Sequence, residues 1–274
     1  MAVIKMFTRC GILFFVMMCL WCTPALSGVE WQEGAPVYET GWAAMVKLGI
    51  TLQRNLPPEY RSQVHARPVN IETDIMPFVR LEEMVNPNTS EKMACLFVSV
   101  GFVDLVNNVA HAKAIDRIEK GYFKNYILSL ARENGQTELR PPPRMSDPRF
   151  WTDRVVNEQQ SNFNQIVGGV IASKLAHYYL GHCRKYGRQL GAGDGKPLPI
   201  NSCLSAEDWN DALKYGINNA LSCGYGVEGV EAFFEGIDMM PERPAWTLYF
   251  LPATVKAAKV NKELEKWERR FFSH

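Results

Sequence analysis

Lys174 and His177 are the residues that call for chemistry. Apolar side chains recur at three- and four-residue steps through Phe163, Ile166, Val167, Val170 and Ile171, and the same stripe runs on into Lys174 and His177. A helix in that register turns an ammonium and an imidazole toward the interior. A buried, unpaired ammonium costs several kcal/mol by order of magnitude. Lys174 therefore needs a carboxylate or loop carbonyls beside it, or a path for its tip past Tyr178 to solvent. His177 can act as a base or a metal ligand, while His182 reads more simply as a hydrogen-bonded histidine at a helix end. Ser173 beside Lys174 and His177 invites a serine–lysine hydrolase, but adjacent helical residues project about 100° apart and cannot share a proton well. His111, after Asn107-Asn108, is a lone histidine that suits core or surface.

Two helices must position these groups. The first spans about Phe163 to Lys185. The second, about Ala206 to Ser222, opens on the cap Ser205 and ends at Cys223-Gly224, with Trp209, Leu213, Gly216, Ile217 and Ala220 on its inward stripe. Glu207, Asp211, Lys214 and Asn218 share its polar face. Upstream, the apolar run Cys95 to Val100 reads as a strand, followed by a helical pattern from Phe102 through His111 to Arg132 and a stop at Asn134-Gly135. Ser146-Asp147-Pro148 offers an N-cap with proline in the first turn. Trp42 to Leu56 is amphipathic, Val227 to Ile237 is a shorter helix, and Val255 to Phe271 is a charged terminal helix. The expected fold is α+β and mainly helical, with a small sheet and long helices.

Ser173-Lys174-Leu175-Ala176-His177 occupies the frame of the zinc motif H-E-x-x-H, whose two histidines lie one helical turn apart and whose glutamate polarises the attacking water. With Ala172 before it and Leu180-Gly181-His182 after it, the segment resembles the active-site helix of gluzincin metallopeptidases, the family of CAAX-prenyl endopeptidases and bacterial envelope quality-control proteases. The family's second helix carries E-x-x-A-D, a glycine three residues on and an Ala-Gly-aromatic turn. Ala212, Gly216 and Cys223-Gly224-Tyr225 fit that frame. The resemblance then places Trp209 where the third zinc ligand should be and Leu213 where the aspartate should be. A rival register would use Glu207 and Asp211, but these lie on the polar face and put Gly216 and Gly224 out of frame. Phe97, Val98, Ser99 and Val100 are similar to the family's edge strand, along which extended substrate lies.

The resemblance implies a metallopeptidase-like domain over residues 91–274, with a helical insertion at about 112–162 and an N-terminal region, 28–90, of unassigned role. Ser173, Lys174, His177, Trp209 and Leu213 become vestiges of a catalytic site. No metal or cofactor is expected, although zinc serves active relatives, because one imidazole does not hold zinc where catalytic sites use three protein ligands. Lys174 then stands in for the cation's charge, and Trp209 is large enough to plug the vacated pocket. The implied function is a pseudopeptidase that binds a peptide or envelope protein without cutting it. The alternative is an active hydrolase of the same fold, using an unusual ligand set such as His177, Glu207 and His182, or no metal. A purely structural envelope domain is a third reading.

Composition sets the compartment. Of 274 residues, 47% are apolar and 22% charged, which fits a globular chain. Thirty basic against twenty-nine acidic residues give +1, so nucleic acid is disfavoured. Lys5 and Arg9, the apolar run Ile12 to Trp21 and the small residues near Ser27-Gly28 read as a secretory signal over 1–27, the alternative being an uncleaved anchor. Cleavage would leave 28 basic against 29 acidic residues, a periplasmic or secreted location and no stable membrane span. Cys95, Cys183, Cys203 and Cys223 then remain, with three possible connectivities. Cys183 and Cys203, flanking the Gly-rich segment 187–201, are the candidate pair; four buried thiols are the alternative.

Overall fold

The computed structural model describes residues 41–70, 75–86, 88–132, 139–190 and 200–273. The signal expected at 1–27, the Asn134-Gly135 stop and residues 191–199 of the Gly-rich segment lie outside them. Nine α-helices and one three-stranded sheet make up the described elements, an α+β architecture that is mainly helical. In chain order they are α1 (Gly41–Arg54), α2 (Pro58–Arg61), β1 (Val64–Asn70), β2 (Val79–Val85), β3 (Lys92–Val98), α3 (Val100–Asp116), α4 (Tyr122–Leu130), α5 (Asp153–Tyr179), α6 (His182–Leu190), α7 (Ala206–Ser222), α8 (Glu228–Met239) and α9 (Ala257–Phe272). No helix among the described residues is long and apolar enough to cross a membrane.

The sheet order is β1-β3-β2, with β1 parallel and β2 antiparallel to β3. In the β2–β3 register Leu81 faces Leu96 and Val79 faces Val98. Ser99 ends β3 and caps α3: its Oγ accepts from Phe102 N at 3.1 Å and from Phe78 N at 2.9 Å, which ties the approach to β2 to the start of the helix. A domain boundary at 90/91 falls in the turn between β2 and β3. β1 and β2, both within residues 28–90, pair with β3, so the sheet spans that position. Residue 112 lies inside α3 and residue 162 inside α5, and both helices run through these positions without a break.

α5 forms the axis of the core, packed between α3, α7 and α8. Ile166, Val167, Ile171, Leu175 and Ala176 are each at most 1% exposed, and each large aliphatic so buried contributes about 1.5–3 kcal/mol of transfer free energy. The helix stops at Gly181, whose φ of +78° lets the chain turn left-handed before α6 restarts at His182. The single helix expected over Phe163 to Lys185 is thus two. α7 matches its expected limits, and Ser205 Oγ accepts from Asp208 N at 3.0 Å as its cap.

Candidate functional site

α5 and α7 cross at one glycine. A Cβ built on Gly216 would lie 2.4 Å from Ser173 N and 2.6 Å from Ser173 Cα, so any larger residue would force the helices apart. This close approach brings together side chains some forty positions apart in sequence. Ser173, Lys174, His177, Trp209 and Leu213 line one small cavity of about 20 Å³, closed by Val170, Asn201, Phe234 and Phe250. The alternative register is not supported by placement, since Glu207 and Asp211 are both exposed.

Lys174 does not reach solvent past Tyr178. It is 5% exposed, and Nζ donates to the Tyr249 carbonyl at 2.6 Å, an oxygen supplied by the 3-10 turn Ala245–Tyr249. No carboxylate among the described residues pairs with it. Burial pulls its pKa down to about 7, opposed among the described residues by the negative charge that Cys183 can carry. The Ser173 hydroxyl donates to the Gly169 carbonyl at 2.7 Å, one turn back, so it is engaged in its own helix rather than with Lys174.

His177 is 2% exposed and its Nδ1 faces His182 Nδ1 at 3.0 Å, one nitrogen donating and the other accepting. Burial, then the nearby Lys174 and His182, holds His177 well below the ordinary imidazole pKa and therefore neutral. His182 Nε2 lies 3.5 Å from Asp208 Oδ1. Asp208 in turn accepts from Lys185 Nζ at 2.7 Å and from the Tyr186 hydroxyl, and these bonds, with the Lys185 contribution first, draw its pKa down to about 2. A line of polar contacts thus leads from the buried His177 to the surface at Lys185. Trp209 is 4% exposed and meets Phe234 edge-on at 5.9 Å between ring centres, plugging the side of the cavity where a third ligand was expected.

Asn201, Tyr249, Asp208 and Phe250 belong to this site without having been singled out by the sequence. Asn201 follows a Gly- and Pro-rich segment without periodicity, and Tyr249 contributes a backbone oxygen, which no side-chain pattern encodes. Asp208 alone had a signal, its place in the first turn of α7 beside the Ser205 cap.

The peptide edge is corrected. Phe97 and Val98 lie in β3, the central strand, paired on both sides, while Ser99 is the α3 cap and Val100 is already helical. Phe97 instead carries the Arg80 guanidinium, 5.8 Å above its ring. The sheet edge that packs against α5 is β2. All four cysteines described, Cys183 and Cys203 among them, are free thiols in this structure, so the bridge considered between that pair is not formed there. Burial pushes the Cys183 thiol up to about 11.

The donor set does not fit zinc. The frame positions offer one imidazole, an ammonium, a hydroxyl, an indole and an isobutyl group, and the His177 Nδ1 is turned to His182. Among the described residues no three His, Cys, Asp or Glu side chains converge as ligands, and Glu207 is too exposed to join His177 and His182 as an alternative set. No protein-family model matches the chain, and no curated protein or solved structure matches it significantly.

Proposed function

We propose that the chain is an exported, catalytically degenerate metallopeptidase-like protein that binds an extended peptide segment without cutting it. One observation carries this reading: the five positions selected by the metallopeptidase frame line one cavity, with Gly216 of the same frame at the point where the two helices touch. The polar groups of the pocket are engaged with the protein itself, Ser173 with its own helix, Lys174 with a carbonyl and His177 with His182, which supports a binding rather than a cutting role.

The bound segment adds to the outer edge of β2, which has no further strand beside it among the described residues and runs along α5. Met84 and Val85, 47% and 60% exposed at the end of that strand, give an extended segment apolar side chains to meet. A fluorescein-labelled unstructured casein serves as the probe. Its anisotropy should rise with added protein, amide exchange over residues 79–85 should slow, and the probe should stay intact. Cleavage of the probe contradicts degeneracy; binding that leaves residues 79–85 unprotected contradicts the β2 edge.

A further inference from the structure

We propose that the cavity between α5 and α7 is a site for one monatomic anion of halide size, held by Lys174 and Asn201. Three features of the interior support the assignment. The cavity, at about 20 Å³, has room for one small particle and no more. Lys174 brings a cationic head to it and has only a neutral partner, the Tyr249 carbonyl, with no carboxylate opposing its charge among the described residues. Asn201 is 4% exposed, lines the same cavity, and neither atom of its amide has a hydrogen-bond partner among the described residues.

Buried amide nitrogens are almost always bonded, and a buried ammonium with a single acceptor is short of two. An anion in the cavity accepts from both donors at once, Lys174 Nζ and Asn201 Nδ2, with the amide turned so that Asn201 Oδ1 faces away from it. The rest of the wall selects for size and against hydration. Val170, Leu213, Trp209 and Phe234 make it apolar, which disfavours a polyatomic oxyanion needing several donors and a ligand that keeps its hydration shell. With its pKa drawn down to about 7, Lys174 is protonated in about half the molecules at neutral pH, and in that form the ammonium in the wall repels a divalent cation and attracts an anion, whose binding in turn favours the protonated lysine. Cavity, lysine and amide carry the assignment whether or not the fold descends from metallopeptidases.

The test uses the whole protein at pH 7, with sodium gluconate replaced stepwise by sodium chloride or bromide at constant ionic strength. Halide should raise the melting temperature in a saturable way, by about 2–4 °C once it exceeds its dissociation constant about fivefold. Gluconate, which cannot enter, should not. Lys174→Met should abolish the difference between the salts, and Asn201→Leu should weaken it. Crystals grown in bromide should show an anomalous peak between Lys174 and Asn201. Superimposable halide and gluconate curves for the unaltered protein overturn the proposal, as does a halide effect undiminished in Lys174→Met. Cavity density without anomalous signal means a water there instead and also overturns it; this readout and the salt comparison need no variant to fold.

Discussion

Each of the two long central helices buries a histidine at 2% exposure, His111 on α3 and His177 on α5. Burial lowers the pKa of both. Their surroundings differ in kind. His111 Nε2 donates to the Phe150 carbonyl at 2.9 Å and its ring leans on Trp151 at 4.8 Å, so one donor meets one acceptor against packed aromatic surface. His177 faces a second histidine, a lysine with no carboxylate beside it among the described residues, and a small cavity. A buried histidine with a lowered pKa is therefore no mark of a site. Space beside unbalanced charge is, because a core that only needed packing would have closed around it.

The largest expected effect probes the plug beside His177. Trp209→Ala should cost about 3–5 kcal/mol in chemical denaturation, the range for an emptied aromatic core position. An unchanged unfolding curve would remove Trp209 from the cavity wall.

Next comes the charge that separates the two histidines. Folded Lys174 titrates at about 7, whereas an unfolded lysine does so near 10.4, so between these values the unfolded chain binds the extra proton and stability rises with pH. From pH 7 to 9 the rise should amount to about 2 kcal/mol. Cys183, raised to about 11, works in the opposite direction as pH nears 9. The difference between wild type and Lys174→Met across that interval isolates the lysine; parallel curves would show that Lys174 is not desolvated.

His111→Leu should be milder, about 1–2 kcal/mol, because it leaves the Phe150 carbonyl unpaired and creates no buried charge. Smallest of all, Glu207→Ala should change stability by less than about 0.5 kcal/mol, as exposed positions do. A loss of several kcal/mol there would favour the rival register of α7.

The helices of the site were legible because their signals are local. The Ser205 cap and the 3.6-residue stripe locate α7, and the intrusion of Lys174 and His177 into an apolar stripe marks the pocket. The sheet was less so. Cys95 to Val98 is a continuous apolar run, which suits a strand buried on both faces and paired on both edges, and only the metallopeptidase resemblance points to an edge. Strand order depends on pairing between distant segments, and β1, with Pro68 inside it, gives little warning that it is the parallel partner. Gly216 is a helix interruption by propensity. Only the crossing with Ser173 explains it.

The central claim is that the metallopeptidase frame persists around a plugged pocket, and calorimetric zinc titration of a rebuilt site tests it most directly. Ser173→His and Lys174→Glu restore the helix motif on His177, Trp209→Glu supplies a ligand across the cavity, and Leu213→Asp adds the carboxylate that orients it. All four must be made together, since a partial set leaves an ammonium beside the metal or a carboxylate buried without one. The account predicts one-to-one zinc binding by the quadruple variant and none by the wild type beyond that of a surface histidine. A quadruple variant that folds and takes up no zinc, or a wild type that binds zinc tightly through His177, would contradict it.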